Sequence, residues 1–135
     1  FFAAGTPKGQ PRPRAFAHAG KVRVYDPGTA EHWKSEIALA ARSAGLAGAQ
    51  LSGPVALTVE FLLPRPKRLC GKRAEPWRIP HTSRPDVDNC MKSVFDALTV
   101  IGAWLDDSQV YECIASKHYV ELGAHCGAWI SVEGE

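Results

Sequence analysis

Arg84-Pro85-Asp86-Val87-Asp88-Asn89-Cys90-Met91-Lys92-Ser93-Val94-Phe95-Asp96-Ala97-Leu98 is the stretch on which the reading of the fold turns. Val87, Cys90, Met91, Val94, Phe95 and Leu98 recur at the three- and four-residue spacing that lines up one apolar helix face. Asp88 stands where an N-cap belongs. Pro85 biases Arg84 towards extended backbone. If Asp86 to Asp88 is extended as well, alternation turns both carboxylates to one side and Val87 into the core.

Upstream of this helix, Val55, Leu57, Val59, Phe61 and Leu63 alternate with Ala56, Thr58, Glu60 and Leu62, the pattern of a largely buried strand. Residues 64 to 84 lie between the two and hold four of the ten prolines and seven basic residues. An irregular stretch of that length in a small domain predicts a binding loop. Downstream, an apolar connector from Val100 to Leu105 breaks at Gly102, and Asp106-Asp107-Ser108 turns the chain into a strand over Gln109 to Val120. Gly123 to Gly127 turns it again before Ala128, Ile130 and Val132 alternate with polar neighbours, which predicts a closing hairpin.

The N-terminal third reads as Phe1 to Ala4 in a first strand, then a proline- and glycine-rich basic loop from Gly5 to Arg14. A small hairpin around Gly20 follows, with Val22 and Val24 on one face and Lys21, Arg23 and Tyr25 on the other. Thr29 is the expected cap of a helix carrying Trp33, Ile37, Ala40, Ala41 and Ala44, closed by Gly45. A chain of 135 residues, 45% hydrophobic and 22% charged, suits one globular domain over 1-135 and excludes disorder throughout.

No apolar run approaches the roughly 20 residues that span a bilayer, so a transmembrane helix is not expected. The chain opens at Phe1 with no charged and apolar leader pattern, so secretion is not expected either and a cytoplasmic, nucleoid-associated location is. Cys70, Cys90, Cys113 and Cys126 form no C-x-x-C pair, and they read as small hydrophobes of a reducing compartment rather than zinc ligands.

The net charge of +2 conceals a division. Residues 1 to 84 hold 14 Lys/Arg against 5 Asp/Glu, and residues 85 to 135 hold 2 against 9. Lys8, Arg12, Arg14, Lys21 and Arg23 precede any acid, and Arg65, Lys67, Arg68, Lys72, Arg73, Arg78 and Arg84 face only Glu75 in their stretch. Basic segments 5-25 and 64-84 suit a polyanion, of which backbone phosphate is the commonest. Solvated surface is the bland alternative for such a run.

The acidic cluster that follows carries the chemistry. Two carboxylates at Asp86 and Asp88 repel unless a cation or proton intervenes, and Mg²⁺ takes one or two carboxylates plus waters and phosphates. Lys92 sits one helical turn beyond Asp88, within reach of that carboxylate or of a phosphate. After the helix and connector, the chain is long enough to bring Asp106-Asp107 back towards the helix start, where one of the two need face the metal. Taken singly, Asp88 can be a helix cap, Asp106-Asp107 a turn and Lys92 a surface residue.

At these residues the sequence resembles the RusA family of Holliday junction resolvases. The resemblance runs from Arg84-Pro85-Asp86-Val87-Asp88-Asn89 through Lys92, Phe95-Asp96-Ala97-Leu98-Thr99 and Trp104-Leu105-Asp106-Asp107-Ser108-Gln109-Val110. Gly5 to Arg14 and Val24-Tyr25-Asp26-Pro27 extend it over nearly the whole chain. It implies a small mixed α/β (α+β) domain, a mixed sheet packed by two main helices, that forms a homodimer and cuts four-way DNA junctions with Mg²⁺; Mn²⁺ is a possible substitute in vitro. It places the metal ligands on Asp86, Asp88 and Asp107 and the catalytic lysine on Lys92, with Asp106 a weaker candidate. The proline-rich basic stretch from Pro64 to Pro80 departs from the shorter members, which bears on junction selectivity.

The mechanism implied is phosphodiester hydrolysis in recombination and repair, with metal-activated water and Lys92 countering charge on the phosphate. Lys8, Arg12, Arg14, Lys21, Arg23, Arg65, Lys67, Arg68, Lys72, Arg73 and Arg84 are the expected phosphate contacts. Two other functions compete: a metal-dependent nuclease for flaps or other branched DNA, and an architectural DNA-binding protein whose acids are structural.

Overall fold

Val55–Leu63 has too few polar residues to lie at an edge, and it takes a neighbour along each side. In the computed structural model, which describes residues 1–135, this strand (β4) is the middle of a five-stranded sheet of order β1-β7-β4-β6-β5. The other strands are β1 (Phe2–Ala4), β5 (Ile79–Pro80), β6 (Val110–Tyr119) and β7 (Gly127–Glu133). β6 runs parallel to β4, and β7 antiparallel. Parallel neighbours need a crossover, which the helix α2 (Val87–Val100) provides.

Val55, Leu57, Val59, Phe61 and Leu63 are all buried on one sheet face. They share a single core with Trp33, Ile37 and Ala41 of α1 (Glu31–Ser43), Cys90, Met91, Val94, Ala97 and Leu98 of α2, and Ala128 and Ile130 of β7. Both helices therefore cover the same face, and the architecture is a mixed α+β domain. The opposite face leaves Thr58, Ile114 and Trp129 exposed. No helix is long and apolar enough to cross a membrane. A second, two-stranded sheet pairs β2 (Arg14–His18) with β3 (Lys21–Tyr25).

Four expectations change. The last two strands are not a hairpin, because β4 lies between β6 and β7 and pairs with both. Alternation identifies a strand and its buried face but carries no information about its partner. The cap of α1 is Ala30 rather than Thr29, with no side-chain bond, and the cap of α2 is Asp86 rather than Asp88. Since α2 begins at Val87, Asp88 lies in its first turn, and Val87 is 40% exposed instead of core.

The stretch 64–84 is tied down. Arg65 donates to the carbonyls of Val120 (2.8 Å), Leu69 (3.0 Å) and Trp77. Arg78 bridges Glu60 and Glu121, whose carboxylates hold its guanidinium more firmly charged, while Glu121 is held below the usual carboxylate range by a backbone N–H and by Arg78.

The core assignment is tested by truncation on the two faces. Leu57→Ala should destabilise the protein by about 2–5 kcal/mol, whereas Thr58→Ala on the open face should stay within about 1 kcal/mol of wild type. Urea unfolding followed by circular dichroism measures both.

Candidate active site and nucleic-acid interface

Asp86 has extended backbone (φ −69°, ψ 149°) and makes no side-chain capping bond, so its carboxylate is free at the entrance to α2. Asp88 is exposed in the first helical turn, where a carboxylate suits the positive end of the helix dipole. Lys92 is exposed one turn further along. Within one chain these three share the same end of α2.

Two segments hold that end in place. The loop after β1 crosses over it: Gln10 N–H donates to Asn89 O (3.0 Å), and Ser93 Oγ donates to Lys8 O (2.9 Å). The crossing is so close that a Cβ on Gly9 would stand 2.9 Å from Asn89 Cβ, which only glycine avoids. From the other side Lys117 of β6 donates through Nζ to Ser83 O (2.8 Å) and Pro85 O (2.7 Å), bracketing the residues that lead into Asp86.

Cys90 reports the resulting electrostatics. Burial pushes its thiol up to about 11, Lys117 opposes that rise, and Asp86 and Asp88 add to it. All three charges therefore converge near one helical turn. The thiol stays protonated at neutral pH, so the polar groups offered here are oxygens and an ammonium, with no thiolate among them.

Two clefts of about 580 Å³ each flank the crossing loop. One is lined by Gln10, Arg12, Arg84, Asp86 and Asn89 among others. The second carries Lys8, Arg65, Arg68, Arg84, His81 and Tyr119. The sequence-predicted basic residues Lys8, Arg12, Arg14, Lys21, Arg23, Lys67, Arg68, Lys72, Arg73 and Arg84 are all exposed. Arg65 is the exception, since its guanidinium is turned inward onto backbone carbonyls, a corner brace rather than a free phosphate donor.

Asp106 and Asp107 lie elsewhere. Asp106 Oδ1 accepts from Ser108 N–H (2.7 Å) and completes a capping box with Gln109, whose Oε1 accepts from Asp106 N–H (2.8 Å). The Ser108 hydroxyl and backbone N–H hold the Asp106 carboxyl below its ordinary range. Asp106 builds the turn, and Asp107 is exposed beside it. The turn precedes β6, while Lys117 beside Pro85 is near the other end of that strand. At ~3.3 Å per residue the strand from Val110 to Lys117 alone covers about 23 Å, which keeps Asp107 and the start of α2 at opposite ends of β6. The expected return of Asp107 to the start of α2 does not occur within one chain, and no three His, Cys, Asp or Glu side chains gather there to hold a metal. The connector carries the chain past the far end of α2 because β6 must begin there to run parallel to β4.

The model for Endodeoxyribonuclease RusA matches residues 4–126. The chain belongs to the RusA endodeoxyribonuclease family. It is 36% identical over 126 residues to the uncharacterized protein YqaN of Bacillus subtilis (strain 168), covering 90% of this chain and 87% of that one. It is 41% identical over 56 residues to the crossover junction endodeoxyribonuclease RusA of Escherichia coli (strain K12) and to that of Enterobacteria phage 82. Those matches span 42% of this chain and 47% of each relative. Family membership makes the chain a nuclease, with the exposed acids and basic clefts as its candidate machinery.

Lys117 and His81 escaped the sequence reading. A lone lysine inside a strand pattern resembles any solvated residue, and only the β6 register opposite Phe61 directs it towards α2. His81 is 7% exposed, its ring lies 4.6 Å from Tyr119, and its Nδ1 has no partner. Burial, then the nearby Lys117 charge, lowers its pKa below the ordinary 6.5. Its neutral form therefore stabilises the fold above pH 6.5, and that contribution is lost as pH falls through the ordinary histidine value towards the lowered one. Wild-type stability should decline from pH 7 to pH 5 more steeply than that of His81→Gln, as read by thermal unfolding across that range.

Proposed function

We propose that this nuclease resolves four-way DNA junctions in recombination and repair by Mg²⁺-dependent phosphodiester hydrolysis, with Asp86, Asp88 and Asp107 as metal ligands and Lys92 as the cationic catalytic group. The observation that carries the reading is the free carboxylate pair at the start of α2, set against two clefts lined by Arg12, Arg84, Lys8 and Arg68. The donor set fits a hard cation, being exposed carboxylate oxygens beside a protonated Cys90. Mg²⁺ held by these carboxylates would supply an acidified water and offset phosphate charge. Arg12, Arg84, Lys8 and Arg68 fix the strand, Lys117 holds the Ser83–Pro85 backbone that aims Asp86, and Lys92 Nζ donates to the phosphate oxygens as charge develops on them.

The distance of Asp107 favours a homodimer with a shared site. β5 pairs with β6 at Tyr119 and His118, and His81 N–H donates to Lys117 O (3.1 Å), so the outer edge of β6 is open from Val110 to Ser116. Tyr111 and Ile114 are exposed along it. An open edge is a template for a second copy. Antiparallel pairing about a two-fold axis carries Asp107 of the partner subunit towards Lys117 and the start of α2, and does so twice. Two such sites match the two-fold symmetry of a four-way junction.

The test uses Asp88→Asn and Asp107→Asn chains, each alone and as a mixed dimer purified through two different tags. Each variant alone should bind a synthetic junction and cut it at least a hundred-fold more slowly than wild type. The mixed dimer has one intact shared site and should nick a single strand of the junction. An inactive mixed dimer would place all ligands in one chain, and undiminished cutting by Asp88→Asn would remove that residue from the chemistry. Cutting of flaps in preference to junctions would keep the site and change the substrate.

A further inference from the structure

The β2–β3 hairpin stands with every strand residue exposed. Its turn is Ala19-Gly20, both with positive φ (51° and 73°), the two-residue geometry that matches strand twist and sets His18 opposite Lys21. Directly paired residues share a face, so Ala15, Ala17, Val22 and Val24 form one side. Arg14, Phe16, His18, Lys21, Arg23 and Tyr25 form the other. On that second side Phe16 (48% exposed) and Tyr25 (45% exposed) meet edge to face at 5.8 Å, with Arg14 and Arg23 as their cross-strand partners.

We propose that this face is a stacking site for unpaired nucleobases at the branch point, a role separate from the phosphate contacts of its arginines. The inference rests on the junction-cutting function proposed above. Phosphate binding explains exposed arginines but gives no reason to expose two aromatic rings between them. Charge selects a polyanion as occupant, and rings beside guanidinium groups are the arrangement that holds splayed bases while cations track the backbone. A continuous duplex hides its base faces, whereas a branch point exposes them, so the rings discriminate where the cations do not. The base of the hairpin is anchored next to the acidic site: Asp26, just past β3, accepts from Gln10 Nε2 (2.9 Å) and from Gly28 N–H (2.7 Å), and Gln10 lines the cleft that includes Asp86.

Binding of the full chain to a four-way junction and to duplex of the same sequence, in EDTA and across salt concentrations, tests this. Phe16→Ala/Tyr25→Ala should lose about ten-fold or more on the junction and less than two-fold on duplex, with the salt slope unchanged. Arg23→Ala should weaken both and lower the slope. Phe16→Leu/Tyr25→Leu keeps apolar bulk in the hairpin without rings, and it should behave as the alanine pair; wild-type binding by the leucine pair would reduce the rings to hairpin props. Phe16→Trp/Tyr25→Trp should retain selectivity and show tryptophan quenching on the junction only. Equal losses on both DNAs, or unchanged binding with a shift in sedimenting mass, would overturn the stacking site, the latter in favour of a protein contact. Failure of the wild-type chain to prefer any branched DNA would instead overturn the junction reading on which it rests.

Discussion

The double pairing of β4 constrains everything else in this molecule. Nine residues, Val55–Leu63, with both edges hydrogen-bonded and one face entirely apolar, must lie mid-sheet. The parallel partner β6 then needs a crossover, and α2 fills it. A crossover helix runs opposite to its strands, so its first turn falls near the ends where β4 and β6 finish. That is why Lys117, late in β6, reaches the carbonyls of Ser83 and Pro85. The same geometry sends Asp107, just ahead of β6, to the far end of the sheet. Pairing in the sheet thus decides which acidic residues meet.

Much of this was readable beforehand, and the reasons differ by element. The α2 face and β4 announce themselves because periodicity is a local property, and Cys90, Met91, Val94 and Leu98 are buried as spaced. The β2–β3 hairpin was legible from Gly20 and the alternation around it. Strand partnership was not legible, because the interposed β4 lies about sixty residues earlier in the chain than the supposed β6–β7 hairpin. Asp88 was misread as the cap by two residues, since both Asp86 and Asp88 satisfy the capping preference and only backbone angles decide between them. At the candidate site, Asp86, Asp88 and Lys92 share an end as their spacing required, while Lys117 and His81 depended on tertiary register.

Counting basic residues overstated the surface available to a polyanion. Arg78 spends its charge on Glu60 and Glu121, and Arg65 spends its donors on three carbonyls. Both serve to order the stretch 64–84, which is what a loop of that length needs before it can present anything reproducibly. The residues left outward, among them Arg68, Lys72, Arg73 and Arg84, are held on a scaffold made by their neighbours. A basic segment can therefore be divided into cations that fold the loop and cations that the loop displays.

A site divided between the two ends of β6 has a chemical consequence of its own. Asp86 and Asp88 alone offer two carboxylates, enough to bind a hard cation weakly with water completing its shell. In the dimer proposed above, a third carboxylate from the partner subunit would raise affinity only when two copies are registered along the strand. Under that proposal cation capture and dimerisation would be coupled equilibria, each favouring the other by the same factor. The ordering of Asp107 by the Asp106–Gln109 capping box then matters as much as its charge, because a carboxylate presented across an interface must be fixed before the partner arrives. In the proposed dimer the adjacent aspartates of this turn thus have two different tasks, Asp106 building the turn and Asp107 standing exposed on it.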